Sequence, residues 1–572
     1  MNSVSAGRKN LRSFRTVIGI AFLLRLIGIG YGLPYLYHQD EPIIVNHAMA
    51  VGATGLNMNF FVIPPFTIYF LFAVYAGIYA AGHLFGAWGN ATDFAVFFLK
   101  HPEVFYGVGR LLLGVLFGTA TVVLLYRLGK RFFDERTGFW AAFFLAVSYL
   151  HVQHSHYIYA DIPLTFAATA LLFQLFILMR APTTRNCIFL GALFGWAVSV
   201  KYTAVYWLPT LALAHLLIFG RKSLSKHSLY RAMAAGATSL AVYAVLAPYT
   251  FLDWQKFYWQ MLVQSGVQNH VEWHFHLSYS LLHGLGPVLL ALAAIGLAQA
   301  RRTWDRRFFW TLAVFIVSFY ALNIFYTQPF ARYMLPIVPA LCLFAGSATE
   351  RFEKRGAILA LAVFLTAAPA LYSDYLFLKT DTRTQALEWV RQNLPEGSPI
   401  VLGSKFFGPP LAQTREQLEQ KLALGSSGGE ELGRQKTKWL LKAAQDEKKY
   451  KVYYLFLKRE DPDKPEKYYS LWPLVRPDSE AVRAIGASYV VIDYAEYTPD
   501  NKGKLDSRVE AIHRWKEQNK GRWELLKTFS PYYDPAKKLM SERFSSTAAP
   551  HSLFELFSRR RLGPYLEIYK LR

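Results

Sequence analysis

Two adjacent carboxylates, in the tetrad Gln39-Asp40-Glu41-Pro42, follow the first hydrophobic segment of the chain. A carboxylate within hydrogen-bond distance of a hydroxyl or an amine can take its proton while that group attacks another molecule. Asp40 is suited to this task, with Glu41 as its neighbour. The structural alternative is that the acidic pair only begins a helix, since Asp favours N-cap positions.

Further ionisable residues lie near the ends of later apolar segments. Asp161 starts one such segment, Lys201 separates two of them, and Arg332 begins another. Ionisable groups at membrane depth are costly and are candidates for function by default. A cation near a headgroup can bind a phosphate and stabilise the charge that grows on it as it leaves. Asp161 could instead cap a helix, and the cations could merely extend to headgroups.

The elements that must position these residues are membrane helices. The chain has 572 residues, of which 53% are apolar and 18% charged, against about 25% charged in soluble domains. Apolar stretches of about 17 to 25 residues, long enough to cross about 30 Å of hydrocarbon, recur as far as residue 375. We predict a polytopic α-helical membrane protein of about eleven spans plus interfacial helices. The predicted spans lie near 14–33, 103–127, 137–155, 162–179, 187–200, 203–220, 231–250, 281–300, 308–327, 331–348 and 356–375.

A second domain is predicted after the membrane part. Residues 376–572 are rich in charge and contain no stretch that could span, so we expect a soluble α/β domain there and a transmembrane catalytic domain in residues 1–375. Strands are predicted at 399–404, 451–456, 488–493 and 566–571. The two cysteines, Cys187 and Cys342, both lie in apolar segments, so a disulfide framework is not expected.

The distribution of charge predicts the topology. The net charge of +23, from 62 basic and 39 acidic residues, fits the positive-inside rule better than nucleic-acid binding. Basic clusters separated by pairs of apolar segments place the N-terminus in the cytoplasm and the soluble domain in the periplasm or outside the cell. We therefore expect a multi-pass protein of the plasma (inner) membrane. Its first loop, residues 34–102, lies outside, with the apolar stretch 65–88 in the interface or re-entering it.

This topology brings the polar residues to one side of the membrane. We assign Asp40, Glu41 and Asp161 to catalysis and Lys201, Arg332 and Arg110 to a donor phosphate. The predicted substrate cavity comprises Tyr159, His154, His156, Tyr202, Tyr333 and His270. Together these residue types describe the transfer of a group from a lipid phosphate.

Two sets of histidines have spacings that a metal could use. They are His151, His154 and His156, and His270, His274 and His276. Neither set matches a specific zinc pattern, so no metal site is assigned and no cofactor is expected with certainty. A divalent cation remains an open alternative.

The order of these features resembles the GT-C glycosyltransferases of the dolichyl-phosphate-mannose protein mannosyltransferase and aminoarabinose transferase superfamily. The matching pieces are the Asp-Glu pair after span one, the Pro-Pro aromatic segment at 64–70, and Arg110 opening a span. They continue with Tyr126-Arg127-Leu128-Gly129-Lys130-Arg131-Phe132-Phe133, Tyr159-Ala160-Asp161, Val200-Lys201-Tyr202-Thr203 and Arg332-Tyr333-Met334-Leu335-Pro336.

This resemblance implies an enzyme that moves a sugar from a polyprenyl-phosphate donor to an acceptor on the outer face, with inversion at the anomeric carbon. It implies that Asp40 is the general base, that Asp161 lies near the acceptor, and that Lys201 and Arg332 bind the donor phosphate. The partners are then the lipid-linked donor, a lipid, glycan or protein acceptor, and membrane lipids. The identity of the sugar stays open. A transporter or flippase of a lipid-linked sugar is the alternative, which predicts inverted repeats and broken helices at mid-membrane.

Overall fold

The computed structural model describes residues 2–265, 272–324, 330–352, 354–404, 407–423, 431–443, 447–455, 474–475, 479–494, 507–538 and 551–572. The first two thirds of the chain are helical. Its helices are α1 Asn2–Leu26, α2 Glu41–Ala50, α3 Pro65–Leu84, α4 Ala91–Lys100, α5 Pro102–Arg110, α6 Phe117–Phe132, α7 Glu135–Val147, α8 Tyr149–His154, α9 Asp161–Arg180, α10 Thr184–Val200, α11 Leu208–Phe219, α12 Lys226–Leu246, α13 Tyr249–Leu252, α14 Trp254–Ser265, α15 Leu282–Leu285, α16 Pro287–Thr303, α17 Arg306–Ile324, α18 Val338–Ala348 and α19 Gly356–Phe377.

This helical part has the architecture of a polytopic membrane protein. In the described residues, eight helices are long and apolar enough to cross a membrane, or nine if a pair bent by 108° between α15 and α16 counts as one. The eight include α3 and seven of the eleven predicted spans, whereas the predicted span 281–300 falls on the bent pair. The predicted spans 14–33, 137–155 and 187–200 lie on helices that are too short or too polar to be counted. The helix α7 has 13 residues, about 20 Å at 1.5 Å per residue, and α10 has 17.

The first helix ends earlier than the predicted span 14–33. It stops at Leu26, and turns follow it. Gly28 has φ +85°, and a Cβ atom there would lie 2.5 Å from the Cβ of Phe377. A positive φ and this close approach both require glycine, so the chain leaves the helix at this point and continues towards Asp40.

The helix α3 lies among elements of the first loop. Its start contacts Trp196 near the end of α10, where the ring centroid of Phe66 lies 5.6 Å away. Its later turns contact Phe105 of α5 and Phe94 of α4. These contacts place α3 against both α10 and the helices of the first loop. Length and apolarity alone would also allow α3 to span.

Small residues let neighbouring spans approach closely, as is usual in membrane bundles. A Cβ atom on Gly191 of α10 would lie 2.1 Å from the carbonyl oxygen of Ala235 on α12. One turn later, a Cβ atom on Gly195 would lie 2.2 Å from that of Ser239. The end of α10, which carries Lys201, is fixed by this close packing.

The C-terminal part is an α/β domain, as predicted. Its elements are α20 Thr382–Asn393, β1 Pro399–Leu402, β2 Ala412–Gln413, α21 Arg415–Ala423, α22 Glu431–Lys442, β3 Lys449–Leu455, β4 Leu474–Val475, α23 Ser479–Ala484, β5 Tyr489–Asp493, α24 Ser507–Gln518, β6 Trp523–Phe529, α25 Leu553–Ser558 and β7 Leu566–Leu571. The strands form one sheet in the order β2-β3-β1-β5-β7-β6, with β4 paired to β3. The pairings of β1 to β5 with one another are parallel, whereas β7 is antiparallel to β5 and β6.

The α/β domain contacts the segment that leads to Asp40. The Tyr31 hydroxyl donates a hydrogen bond of 2.7 Å to Asp381. The guanidinium of Arg383, paired with Asp381 at 2.9 Å, lies 3.8 Å from the ring centroid of Tyr37. These side chains are buried, so the domain helps to hold the segment in place.

Candidate active site

Asp40 directs its side chain away from the helix that it precedes. It occupies the N-cap position of α2, but its carboxylate makes no capping hydrogen bond. Instead it accepts a hydrogen bond from the Tyr159 hydroxyl and lies 3.4 Å from Nη2 of Arg332. The side chain remains 36% exposed. The capping alternative therefore does not describe this residue, whose carboxylate is both accessible and ordered by partners.

Asp161 likewise does not act as a cap. It is the first residue of α9, after an N-cap at Ala160. Its buried carboxylate accepts a hydrogen bond of 2.6 Å from the Lys201 ammonium and lies 3.8 Å from Nε of Arg332. Asp40, Arg332, Asp161 and Lys201 thus form a row of alternating charge. The row is drawn from positions up to 292 residues apart in sequence.

Breaks in the helices give these side chains their positions. Lys201 has extended backbone, with φ −156° and ψ 130°, between the end of α10 and a 3-10 turn at Tyr202–Trp207. Arg332 lies in another 3-10 turn, Ala331–Ile337, which contains Pro336. Proline lacks a donor and disrupts a regular helix. Side chains at such helix ends can point into a shared space.

Aromatic rings surround the two cations. The guanidinium of Arg332 lies 4.6 Å from the ring centroid of Tyr159 and 4.1 Å from that of Phe330. The Lys201 ammonium lies 4.3 Å from the ring centroid of Tyr333. Rings at these distances attract a cation. Arg332 and Lys201 are 12% and 17% exposed, so both can still be reached.

The surroundings keep Asp40 ionised. Burial alone would raise its pKa, but the guanidinium of Arg332 and the hydrogen bond from Tyr159 outweigh it and hold the pKa below its ordinary value. A carboxylate of this kind is always present in its basic form near neutral pH, although it is a weak base. The reaction it can assist is one with a good leaving group.

Glu41 and Arg110 are not placed as predicted. The Arg110 guanidinium donates to both carboxylate oxygens of Glu41, at 2.8 and 2.6 Å, and both side chains are buried. Arg110 also donates to the carbonyl oxygens of Ile29 and Tyr31, and Glu41 accepts from the backbone of Ile158. Because the hydrogen-bonding groups of both side chains already have partners, few remain to bind a phosphate or to take a proton from a substrate. We therefore revise both roles to structural ones.

The other predicted cavity residues are His156, His154, Tyr202 and His270. The ring nitrogens of buried His156 lie 2.9 and 2.8 Å from the carbonyl oxygens of Val152 and Ile27, which is a structural arrangement and argues against a cavity role. His154 is half-buried, and its Nδ1 has no hydrogen-bond partner among the described residues. The Tyr202 hydroxyl donates to the carbonyl oxygen of Phe61 at 3.1 Å. His270 lies outside the described residues.

His38 belongs to the site although the sequence analysis did not select it. Its Nδ1 accepts a hydrogen bond of 3.2 Å from the backbone of Asp40. Its buried ring meets Tyr159 edge-on, with centroids 4.8 Å apart. Burial lowers the pKa of His38 to about 4, so the ring is neutral and can accept. The spacing His-x-Asp was the only signal in the sequence, and it is too short to be specific.

The described residues contain no group of three or more His, Cys, Asp or Glu side chains arranged to hold a metal ion. In the first histidine set, Nδ1 of His151 lies 2.9 Å from a guanidinium nitrogen of buried Arg25.

Comparison with known proteins gives a family match and several structural similarities. The chain is similar to ArnT from Cupriavidus metallidurans bound to undecaprenyl phosphate, with 12% identity, a TM-score of 0.46, and coverage of 84% of this chain and 92% of that one. It is also similar to the oligosaccharyltransferase AglB from Archaeoglobus fulgidus in complex with an inhibitory peptide and a dolichol-phosphate, with 11% identity, a TM-score of 0.43, and coverage of 98% and 88%. A third similar structure is the arabinofuranosyltransferase AftD from Mycobacteria, with 14% identity, a TM-score of 0.40, and coverage of 97% of this chain and 41% of that one. No curated protein sequence matches the chain.

The family match covers the centre of the membrane part. A sequence model of the family described as dolichyl-phosphate-mannose-protein mannosyltransferase matches residues 105–248, a region that includes Tyr159, Asp161 and Lys201. Over these residues the chain is similar to that family, which agrees with the resemblance predicted from the sequence.

Proposed function

We propose that the chain is a membrane glycosyltransferase that moves a sugar from a polyprenyl-phosphate donor to an acceptor on the outer face of the membrane. The observation that carries this proposal is the row of alternating charge, in which the accessible carboxylate of Asp40 lies beside Arg332, and buried Asp161 links Arg332 to the second cation, Lys201. A base and a phosphate site side by side are what such a transfer requires. The family description, which names a dolichyl-phosphate sugar, supports the same donor class.

In the proposed reaction, the acceptor hydroxyl or amine attacks the anomeric carbon while Asp40 takes its proton. The bond between that carbon and the phosphate oxygen breaks, and polyprenyl phosphate leaves with the electron pair. A single displacement of this kind inverts the anomeric carbon. The phosphate is a good leaving group, which suits the weak basicity of Asp40.

Lys201 and Arg332 bind the departing phosphate in this scheme. Asp161 holds both cations in place, since it lies 2.6 Å from Lys201 and 3.8 Å from Arg332. When the donor binds, its phosphate replaces part of the contacts that Asp161 makes with the two cations. Tyr159 orients Asp40, and Tyr333 lies beneath the Lys201 ammonium.

An apolar cavity beside α10 suits the hydrocarbon part of such a donor. It has a volume of about 720 Å³ between α10, α11 and α12 and is lined by residues that include Phe194, Val198, Leu211 and Tyr243. Val198 lies one helical turn before Lys201 on the same helix. A polyprenyl chain placed here would bring its phosphate towards that ammonium.

The test uses the purified chain in proteoliposomes with a polyprenyl-phosphate sugar carrying a radioactive label. Total membrane lipids and glycans supply the acceptor. We expect polyprenyl phosphate to be released in equal amount with the labelled product. If the sugar stays on its lipid while that lipid crosses the bilayer, the chain is a transporter and the proposal is wrong. A hexose and a pentose donor assayed in parallel define the sugar class, and an assay with EDTA shows whether a divalent cation is required.

A further inference from the structure

The helix α14 exposes large aromatic and apolar side chains that a helix in water would bury. Its outward face carries Trp254, Tyr258 and Trp259, which are 59%, 60% and 59% exposed. Val263 continues this exposed stripe one turn later. A helix on a soluble surface shows the opposite pattern, with polar residues outwards. Among the described side chains of this exposed stripe, Gln255 is the polar exception.

Two polar residues of α14, Lys256 and Gln260, bind the first loop. The Lys256 ammonium donates to the side chain of Asn59 at 2.7 Å. The side-chain oxygen of Gln260 accepts from the backbone of Phe61 at 2.6 Å. Just before the helix, Asp253 accepts from Asn57 at 3.1 Å. These bonds fix α14 to residues 57–61, while its aromatic face stays exposed among the residues that the structure describes.

The aromatic face continues the surface of a membrane-spanning helix. The described outward stripe of α12 includes Met233, Leu240 and Val245, all strongly exposed, and α12 is long and apolar enough to span. Leu252, which is also exposed, connects this stripe to α14. The helix α14 begins eight residues after α12 ends at Leu246, so it lies close to the boundary of the bilayer.

We infer that α14 is an interfacial anchor whose aromatic face sits in the headgroup region of the leaflet next to the site. Trp and Tyr are the residues that favour this region, because each has an apolar body and a polar group. A helix lying in the interface buries one apolar face in the boundary between headgroups and acyl chains. The partner is therefore the lipid surface, and this inference does not depend on the reaction proposed above.

The anchor has a consequence for the site. The Tyr202 hydroxyl donates a hydrogen bond to the carbonyl oxygen of Phe61. Phe61 belongs to the segment 57–61 that α14 holds. Phe257 of α14 also contacts the rings of Phe61 and Tyr202, each with centroids 5.9 Å apart. Tyr202 follows Lys201 directly. The lipid surface thus supports the segment that flanks the cation.

The experiment is spin labelling of the full-length protein in vesicles of phosphatidylcholine and phosphatidylglycerol. Nitroxides are attached to Tyr258→Cys and Trp259→Cys, one at a time, and their collision rates with oxygen and with a water-soluble nickel complex are compared. Met233→Cys on α12 serves as the lipid-facing control, and Lys520→Cys, on an exposed part of the α/β domain, serves as the water-facing control. Elution profile and thermal stability identify any variant that fails to fold.

Labels at 258 and 259 should collide with oxygen several-fold more often than with nickel, as the label at 233 does. A ratio like that at 520 would show that the face lies in water, and it would overturn the inference. Low collision rates with both reagents would show that protein covers the face, through a second copy or another chain, and would overturn it as well.

Discussion

Replacement of Glu41 by Gln should make the protein less stable without changing the groups that take part in the reaction. The carboxylate and the Arg110 guanidinium that it binds are both buried, at 0% and 1% exposure. Removal of one partner from such a pair leaves a buried charge without compensation, which costs about 3–5 kcal/mol. The hydrogen bond from the Ile158 backbone can be kept by the Gln oxygen, so the loss arises from the charge.

This cost can be measured as a change in thermal stability. Domains of 150–250 residues lose about 2–4 °C in Tm per kcal/mol, and larger ones lose less, so a decrease of several °C is expected for Glu41→Gln. The assay is thermal unfolding in detergent, followed by the recovery of monodisperse protein. Glu103→Gln is the matched control, because Glu103 is exposed and paired with exposed His101 at 3.2 Å. Exposed pairs contribute at most about 1 kcal/mol.

The activity of the same variant tests the structural assignment. Below its unfolding temperature, Glu41→Gln should retain most of its turnover, since its side chain does not face the substrate. A variant with unchanged Tm and abolished turnover would refute this reasoning, because Glu41 would then act on the reacting groups.

Three further predictions concern the cation, the neighbour of the base and the α/β domain. Lys201→Met should lower kcat/KM for the donor about 100-fold through loss of a phosphate contact, measured by initial rates at varied donor concentration. His38→Phe should lower kcat about tenfold at unchanged donor KM, since the ring remains but the acceptor that orients Asp40 is lost. Glu567→Gln should lower the Tm of the full chain at pH 7. Burial alone would raise the pKa of Glu567, but hydrogen bonds from Lys516 and Lys538 hold it at about 2.

The pH dependence of the last variant follows from the sign of that pKa shift. A carboxylate with a depressed pKa stabilises the fold fully above its unfolded value of about 4.3, and this stability is lost as the pH falls from there to about 2. The difference in Tm between the wild type and Glu567→Gln should therefore shrink from pH 5 to pH 3. The control is Glu524→Gln, whose partner Arg572 is exposed. A constant difference over this range would contradict the assignment.

Clear alternatives also exist for the other two variants. If Lys201→Arg is as impaired as Lys201→Met, the ammonium does more than supply positive charge to a phosphate. If His38→Phe mainly raises the donor KM, His38 contributes to donor binding and its role in orienting Asp40 is wrong.

The sequence predicted the membrane fold and four residues of the charged row for a simple reason. Helix ends that share a side of the membrane must also share space, so sidedness alone brings Asp40, Asp161, Lys201 and Arg332 within reach. Their contacts with one another agree with this expectation. The chemical roles of these residues are still predictions.

Other features could not be predicted because they depend on partners distant in sequence. Glu41 and Arg110 are 69 residues apart, and nothing in either residue type shows that they neutralise each other. The strands β1, β3, β5 and β7 were predicted from their buried β-branched and aromatic residues. The strand β6 was missed because it lies at the edge of the sheet, and its exposed Glu524 and Lys527 resemble a helix or a loop in sequence.

The central claim is that Asp40 acts as the base in sugar transfer. The most direct test compares the rate at which Asp40→Asn and the wild type release polyprenyl phosphate at saturating donor and acceptor. Thermal unfolding of both proteins shows whether the variant is folded. The claim predicts a loss of kcat of about 10² to 10⁴-fold with little change in Tm. Turnover within a few-fold of the wild type in folded Asp40→Asn would contradict it.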